Sequence, residues 1–288
     1  MPELSILGLF AHPDDEQMMS GVFAQCASEG IRTGLLCATR GEAGQIHSSV
    51  DATRETIAQV REGELRAAAV VCGVKDLYFL GYRDSGWIGT PDNDDPTSFH
   101  RCNQHDALGK VVAIVREFKP TVMVTFDPTG GYGHLDHLMI HKLATEAFSA
   151  AADPLMFPES HEPWQASRLY YATFSRAGMA SFRDLIGRHY PDSDFLKLDF
   201  SKFGTEDSEI TNDIDVMKWL DVKQRSLSHH RTQTADIQRW AILPPDLTAR
   251  MRGTENYILA SGVPLPDGPE ARCDLFAGIR SQESGVRS

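Results

Sequence analysis

The sequence has 288 residues, of which 41% are hydrophobic and 24% charged, the ordinary proportions of a globular protein. Its formal net charge of −12 argues against nucleic acid or an anionic membrane surface as a partner, because both attract basic faces. No apolar stretch approaches the roughly 18 residues of a membrane span, and the first residues lack the form of a signal peptide. Four of the five cysteines lie in or beside apolar patterns, so we expect buried thiols and a cytoplasmic location.

Short apolar runs alternate with amphipathic helical patterns through the first half of the chain. The runs at residues 4–10, 31–39, 74–80 and 121–126 are typical of buried strands, and helical spacing covers residues 14–28, 52–71, 107–118 and 137–151. Alternation of strand and helix predicts right-handed crossovers and a mostly parallel sheet with helices on both faces, the α/β class. No Gly-x-Gly-x-x-Gly follows a strand, which argues against a nicotinamide site.

The pattern loosens after residue 152. We expect strands at residues 169–174, 208–216 and 257–260 and helices at residues 177–188 and 216–228. Residues 1–152 are therefore predicted to form the catalytic core. Residues 153–288 are predicted to form a smaller C-terminal α+β part that completes the sheet and the substrate pocket within one continuous domain. The loop at residues 86–103 is either a lid or binding loop, or a plain surface insertion.

Two polar motifs each follow a predicted buried strand. Ala-His-Pro-Asp-Asp-Glu at residues 11–16 follows the first strand, and Gly-Gly-Tyr-Gly-His-Leu-Asp-His at residues 130–137 follows the fourth. Each has an ordinary structural explanation when taken alone, since acids favour the first turn of a helix and histidines occur on surfaces. In open α/β sheets, however, ligands bind at the carboxyl ends of the strands. Two such motifs at one sheet edge therefore predict a functional site.

The residue types in these motifs predict a divalent metal ion, zinc or another such as Fe²⁺, held by His12, Asp15 and His137. Three protein ligands with an open fourth position are typical of a catalytic zinc site. Such an ion lowers the pKa of bound water to about 7 and polarises carbonyl groups. His141, one helical turn beyond His137, is a rival ligand, although a histidine packed under the site is the simpler interpretation.

Neighbouring residues supply the remaining chemistry of a hydrolase. Asp14 is adjacent to a ligand and free to act as a general base, while His134 can donate to a developing oxyanion. With Asp14 ionised and His134 protonated, we expect a bell-shaped pH–rate profile. Asp136 can orient a histidine from behind. Tyr132 lies among glycines and has either a catalytic role or a packing role, and His230 forms either a helix-end cap or a wall of the pocket.

The two motifs together resemble the zinc-dependent LmbE-like (PIG-L) N-deacetylase family. Its members include deacetylases of mycothiol and bacillithiol biosynthesis, the mycothiol S-conjugate amidase and the GlcNAc-phosphatidylinositol de-N-acetylase. The resemblance covers most of the chain, with later matching blocks at residues 82–86, 127–133 and 223–233. It implies a Rossmann-like fold. Leu135 departs from the pattern, because the family usually has Pro at that position.

The resemblance also implies roles for individual residues. It places the metal ligands at His12, Asp15 and His137 and the general base at Asp14. It makes His134 the histidine that assists the oxyanion or the leaving amine, with Asp136 as its carboxylate partner, and Tyr132 a mobile tyrosine that contacts the reacting carbonyl. Further residues fall in blocks that line the sugar pocket, namely Glu42, Arg61, Arg83 and Asp84.

We therefore expect a metal-dependent hydrolase that removes an N-acetyl group from an N-acetylglucosamine-type substrate. Its partner would be a small amino-sugar substrate. We expect no binding to nucleic acid and no membrane span, and the sequence leaves formation of a homo-oligomer open. One alternative is an amidase that cleaves a thiol-conjugate or peptide-like amide. Another, from a different functional class, is a non-catalytic sugar- or metal-binding protein.

Overall fold

A computed structural model describes residues 3–46, 52–192, 196, 204–233, 249 and 252–280. Its strands are β1 (Ser5–Phe10), β2 (Arg32–Thr39), β3 (Asp76–Tyr82), β4 (Val122–Phe126), β5 (Arg168–Thr173), β6 (Asn212–Asp215) and β7 (Thr254–Gly262). They form one sheet in the order β3-β2-β1-β4-β5-β7-β6. Strand β7 runs opposite in direction to the other six strands. The predicted α/β class with a mostly parallel sheet is confirmed.

The strands are connected by α1 (Ser20–Ser28), α2 (Ile57–Cys72), α3 (Gln104–Phe118), α4 (Gly130–Gly133), α5 (Leu135–Ala150), α6 (Arg176–His189) and α7 (Leu220–His229). Helices α1, α2 and α7 pack against one another, and α3 packs against α5. Every residue of β1 and β4 is buried, as expected for central strands of a parallel sheet with both faces covered. Among the described residues, no helix has the length and apolar character needed to cross a bilayer.

The first helix differs most clearly from its prediction. The pattern predicted a helix from residue 14, but a 3₁₀ turn at Asp15–Met18 comes first and α1 begins at Ser20. Asp14 has φ of 109°, which is incompatible with a regular helix and redirects the chain. The expected strand at residues 208–216 is likewise shorter, because a 3₁₀ turn at Asp207–Glu209 precedes β6.

A buried glutamate joins β7 to the start of α1. The Glu255 carboxylate accepts hydrogen bonds from the backbone N–H groups of Gly21 (2.8 Å) and Val22 (2.9 Å), in the first turn of α1. It also pairs with Lys223 of α7 and accepts a hydrogen bond from the Tyr257 hydroxyl at 3.1 Å. These bonds satisfy backbone donors that a helix N-terminus leaves unpaired. The C-terminal strands are thus tied to the region that follows the first motif.

Candidate active site

The two motifs meet at the centre of the sheet. They follow β1 and β4, which are paired neighbours. From β1 the chain continues to β2 on one side, whereas β4 leads to β5 on the other, so the strand order reverses between them. A crevice opens at such a reversal, beyond the carboxyl ends of the strands. The structure therefore places both motifs where this fold class binds ligands.

Three side chains from the two motifs converge in a triangle of possible metal donors. His12 Nδ1 lies 3.1 Å from His137 Nε2. One carboxylate oxygen of Asp15 lies 3.3 Å from His12 Nδ1, and the other lies 3.3 Å from His137 Nε2. Ligands of a tetrahedral ion with bonds of about 2.0–2.1 Å are about 3.3–3.4 Å apart. The chemistry of these donors fits a divalent cation, and each pair of side chains has donor atoms at about that separation.

Hydrogen bonds outside this donor triangle orient its two imidazole rings. His137 Nδ1 lies 2.9 Å from the Gly130 carbonyl, so this nitrogen carries the hydrogen and donates. His12 Nε2 lies 3.2 Å from the Asp136 carboxylate and donates in the same way. The inner nitrogens, His12 Nδ1 and His137 Nε2, therefore present lone pairs to the centre of the triangle. Position 130 favours glycine, because its φ is +63° and an added Cβ would lie only 2.8 Å from His137 Cβ.

Carboxylates surround the outer side of His12. The buried Asp136 carboxylate accepts hydrogen bonds from the Ser85 hydroxyl and from the Ser85 backbone N–H at 2.9 Å, and Asp84 Oδ1 lies 3.5 Å from His12 Nε2. Burial lowers the pKa of His12, but the carboxylates of Asp84, Asp136 and Asp15 outweigh burial and raise that pKa well above its ordinary value. Surroundings that retain a proton on a buried ring also favour a bound metal cation.

Asp14 lies beside the donor triangle in a strained backbone conformation. Its φ of 109° is rare for a residue other than glycine. Its backbone N–H donates to Glu16 Oε2 at 3.0 Å, and its carboxylate lies 3.3 Å from Arg61 Nη2. The side chain remains 31% exposed and so reaches solvent. Partial burial raises the pKa of Asp14 to about 6, against the opposing charge of Arg61. A carboxylate with that pKa suits a general base near neutral pH.

Two buried side chains, those of His230 and Arg61, support the Asp14 loop (residues 13–16). His230, the C-cap residue of α7, lies with its Nε2 2.6 Å from Glu16 Oε1, and both side chains are fully buried. Arg61 donates to the carbonyls of Pro13 (2.6 Å) and Gly41 (3.1 Å). Among the described residues both side chains are buried, which gives His230 and Arg61 a supporting place behind the site. His230 lies at the C-terminal end of α7, as the helix-end alternative expects, and a contact with substrate stays a prediction.

His134 is the N-cap residue of α5, which fixes its tautomer. Its Nδ1 accepts a hydrogen bond from the Asp136 backbone N–H at 3.2 Å, so the ring hydrogen is on Nε2. Burial, together with His12 and His137, lowers the pKa of His134 to about 4. These surroundings favour a neutral His134 ring, whereas the sequence suggested a protonated one. The expected pairing of its ring with the Asp136 carboxylate is also not observed, because that carboxylate contacts His12.

Tyr132 lies at the mouth of the site. Its ring centroid is 4.9 Å from that of His137 and 6.3 Å from that of His134, and the side chain is 39% exposed. The glycines on either side, Gly131 and Gly133, have φ of +72° and +86°. These left-handed conformations explain why small residues flank a large ring here. Burial raises the pKa of the Tyr132 hydroxyl above its ordinary value, so it remains a hydrogen-bond donor.

The other expected pocket residues separate into two groups. Glu42 Oε2 accepts the Asp84 backbone N–H at 3.0 Å, which brings both carboxylates to the edge of the site. Arg83 turns away toward the loop at residues 86–103, where it pairs with Asp92 and with Asp95 at 3.0 Å. His141 donates from Nδ1 to the Phe126 carbonyl at 2.8 Å and lies outside the donor triangle.

Sequence reasoning missed three residues of this site. Glu16 belongs to the first motif but was interpreted as an acid in a helical turn, whereas it anchors the backbone of Asp14. Ser85, which holds Asp136, lies within the matching block at residues 82–86 and was not singled out. Trp87 follows that block directly, and its ring stacks on Tyr132 with centroids 5.6 Å apart. A tryptophan next to a pocket block in a polar loop was the available signal.

Comparison with known proteins identifies relatives of the chain. Residues 7–148 match the PIG-L family, described as GlcNAc-PI de-N-acetylase. The chain is 35% identical over 287 residues to 1D-myo-inositol 2-acetamido-2-deoxy-alpha-D-glucopyranoside deacetylase 2 of Frankia alni, an alignment that covers 93% of this chain and 98% of that protein.

Two solved structures share the fold. N,N'-diacetylchitobiose deacetylase from Pyrococcus horikoshii has a TM-score of 0.62 at 18% identity, covering 89% of this chain and 83% of that one. A 4-carboxy-2-hydroxymuconate hydratase from Pseudomonas putida has a TM-score of 0.58 at 17% identity, covering 92% and 99%. Because a deacetylase and a hydratase both have this fold, the fold alone does not identify the reaction. The sequence relationship over nearly the whole chain is more specific, and on that basis the chain belongs to the PIG-L family of GlcNAc-PI de-N-acetylases.

Proposed function

We propose that this chain is a metal-dependent hydrolase that removes the N-acetyl group from an N-acetylglucosamine-type glycoside. The observation that carries the proposal is the donor triangle of His12, Asp15 and His137 with Asp14 beside it. Binding of an ion alone needs no adjacent carboxylate with a raised pKa. The relative from Frankia alni, named as a deacetylase of an acetamido-glucopyranoside, supports the substrate class. The five free cysteines favour a reducing cytoplasm as the place of action.

His12, Asp15 and His137 would hold the ion, with Zn²⁺ as the first choice. Two histidines and one carboxylate also suit Fe²⁺, so the donor set permits either metal. When bound, the ion supplies a Lewis acid that polarises the amide carbonyl and makes water more acidic. His134 also lies within reach of His12 and His137. Its Nε2 carries the ring hydrogen, however, which makes His134 a better hydrogen-bond donor than ligand.

Asp14 performs the proton transfers in this proposal. Its carboxylate accepts a proton from the attacking water as the water oxygen bonds to the amide carbon. The same proton then passes to the sugar nitrogen as the C–N bond breaks, which releases acetate and a free amine. The contact with Arg61 holds the carboxylate in place. A base whose pKa is about 6 can perform both transfers near neutral pH.

His134 and Tyr132 act on the oxygen of the amide carbonyl. A neutral His134 donates its Nε2–H as a hydrogen bond to the developing oxyanion and does not transfer a full proton. Removing one donor of this kind typically costs about 10²–10³-fold in kcat. The Tyr132 ring lies 4.9 Å from that of His137, and its hydroxyl supplies a second donor. Glu42, at the edge of the site, accepts hydrogen bonds from sugar hydroxyls, and the buried Asp84 holds the adjacent backbone by accepting hydrogen bonds from the N–H groups of Gly86 (2.8 Å) and Ala43 (3.2 Å).

A substrate panel tests this proposal against its alternatives. Acetate and primary amine are measured for N-acetylglucosamine, for an N-acetylglucosaminide with a cyclic polyol aglycone, and for a thioether-conjugated amide. We expect acetate and amine in equal amounts from the two sugars and slow reaction of the conjugate. Faster cleavage of the conjugate would establish an amidase. Binding of sugar and metal without release of amine would establish a non-catalytic binding protein.

The ligand assignment has its own matched pair of variants. His137→Ala removes a member of the donor triangle, whereas His141→Ala removes a histidine one helical turn away that contacts the Phe126 carbonyl. Elemental analysis should show the metal largely absent from His137→Ala and retained in His141→Ala. Full occupancy in His137→Ala would overturn the ligand set.

A further inference from the structure

Two large apolar side chains are exposed beside the candidate site. Trp87 is 57% exposed and Ile88 is 55% exposed, although most large hydrophobic residues of the described chain are buried. Both lie in the loop that follows β3, which begins next to Asp84. Adjacent exposed apolar residues at the edge of a pocket mark a ligand-binding surface more often than scattered ones do. The position of the pair therefore calls for a functional explanation.

An aromatic row leads from the donor triangle to this surface. The Tyr132 ring lies 4.9 Å from the His137 ring, and the Trp87 indole stacks on Tyr132 with an interplanar angle of 17°. Trp87 also meets the His134 ring edge-on at 6.3 Å. One face of the indole is thus occupied by Tyr132, and the exposed area belongs to the remainder of the ring. A sugar reacting at the triangle would have its next ring near Trp87.

Hydrogen bonds within the loop hold Trp87 in place. Asn93 Nδ2 donates to the carbonyls of Ser85 (2.6 Å) and Trp87 (3.2 Å), and Asn93 Oδ1 accepts the backbone N–H of Gly89 at 2.7 Å. The backbone N–H of Thr90 also donates to the Trp87 carbonyl at 3.0 Å. A preorganised aromatic surface binds a ring without a large cost in conformational entropy. These bonds fix the backbone that carries Trp87, and the stacking contact with Tyr132 orients the indole itself.

We propose that Trp87, bordered by Ile88, is the binding platform for the aglycone of the substrate. The fitting chemistry is a cyclic polyol or second sugar ring, whose C–H face packs on the indole while its hydroxyls remain in water. This inference rests on the proposed deacetylase function and adds to it a determinant of specificity. Trp87 touches the part of the substrate that does not react, so its effect falls on KM.

The test compares two substrates and three variants. We measure kcat/KM for N-acetylglucosamine and for its α-glycoside with inositol in the wild type, Trp87→Ala, Trp87→Phe and Leu155→Ala. Leu155 is the matched control, because its side chain is 85% exposed and lies outside both motifs. We expect Trp87→Ala to lower the ratio of glycoside to free sugar about tenfold or more, through KM, the loss typical of an aromatic anchor. Trp87→Phe should restore most of the ratio, and Leu155→Ala should leave it unchanged.

A ratio that stays constant in Trp87→Ala would overturn the platform, because equal losses on both substrates mean that the indole only supports Tyr132. Failure of the proposed function gives a different result. If the wild type hydrolyses neither sugar, calorimetric binding of the intact glycoside to Asp14→Asn still decides the role of Trp87. Tighter binding by Asp14→Asn than by Asp14→Asn/Trp87→Ala supports the platform, and equal binding or no binding overturns it.

Discussion

Replacing Glu16 with Gln tests how the Asp14 loop is held. Glu16 and His230 are both fully buried, and His230 Nε2 lies 2.6 Å from Glu16 Oε1. Removing one partner of a buried ion pair typically costs about 3–5 kcal/mol, because the other charge loses its compensation. We expect Glu16→Gln to lose that amount in the free energy of unfolding. Such a loss would be a large part of the total stability of an ordinary domain.

The assay is equilibrium unfolding in urea, followed by circular dichroism in the presence of a chelator so that metal binding does not contribute. Asp221→Asn is the matched control, because Asp221 pairs with Arg225 at 2.9 Å on the surface of α7, with 83% and 59% of the two side chains exposed. Exposed pairs of this kind contribute about 0–1 kcal/mol. A loss in Glu16→Gln no larger than in this control would show that the buried pair of Glu16 and His230 does not stabilise the fold.

The effect should also depend on pH in a defined direction. Burial lowers the pKa of His230, but Glu16 outweighs burial and raises it above 6.5, so the stabilisation is present below pH 6.5 and is lost as pH rises through the folded-state value. Burial raises the pKa of Glu16, but His230 outweighs burial and lowers it below 4.5, so the stabilisation is lost as pH falls through that lower value. The difference between wild type and Glu16→Gln should therefore be largest between pH 4.5 and 6.5. An equal difference at pH 5.5 and pH 9 would contradict the ion pair.

Asp14→Asn should retain its metal and its fold yet lose about 10²-fold or more in kcat; near-normal release of amine would place the base elsewhere. His134→Ala should lower kcat about 10²–10³-fold but leave the alkaline limb of the pH–rate profile in place, because a ring with a pKa of about 4 is already neutral there. Disappearance of that limb would contradict the lowered pKa of His134. In the native protein a thiol reagent should label the exposed Cys273 first and should reach the buried thiols only on unfolding, namely Cys26, Cys37 and Cys72; rapid labelling of those three would contradict their burial.

The sheet and the location of the site could be predicted because the signals for both are local. Apolar runs of strand length alternate with helical patterns along the chain. A polar motif that follows a buried strand lies at the edge of the sheet, independently of contacts made by the rest of the chain. His12 and His137 come close together if the strands before them are neighbours, and β1 does pair with β4.

The remaining features depend on contacts between distant residues. The partner of His230 is Glu16, 214 positions away, so the sequence could not show whether His230 binds substrate or supports the loop. The positive φ of Asp14 is imposed by its surroundings and is not signalled by an aspartate. The Asp136 carboxylate contacts His12 while the His134 ring caps α5, and spacing along the sequence does not show which histidine the carboxylate contacts.

In the proposed reaction, Asp14 and an ion in the donor triangle together hydrolyse an N-acetyl group. The most direct measurement titrates Zn²⁺ into chelator-stripped protein while recording the ion bound and the amine released from an N-acetylglucosaminide. We expect the rate to rise in proportion to the bound ion and to reach a plateau at about one ion per chain, while Asp14→Asn binds the same amount and releases almost no amine. Full activity in the stripped protein, or saturation with the ion without any release of amine by the wild type, would contradict this proposal.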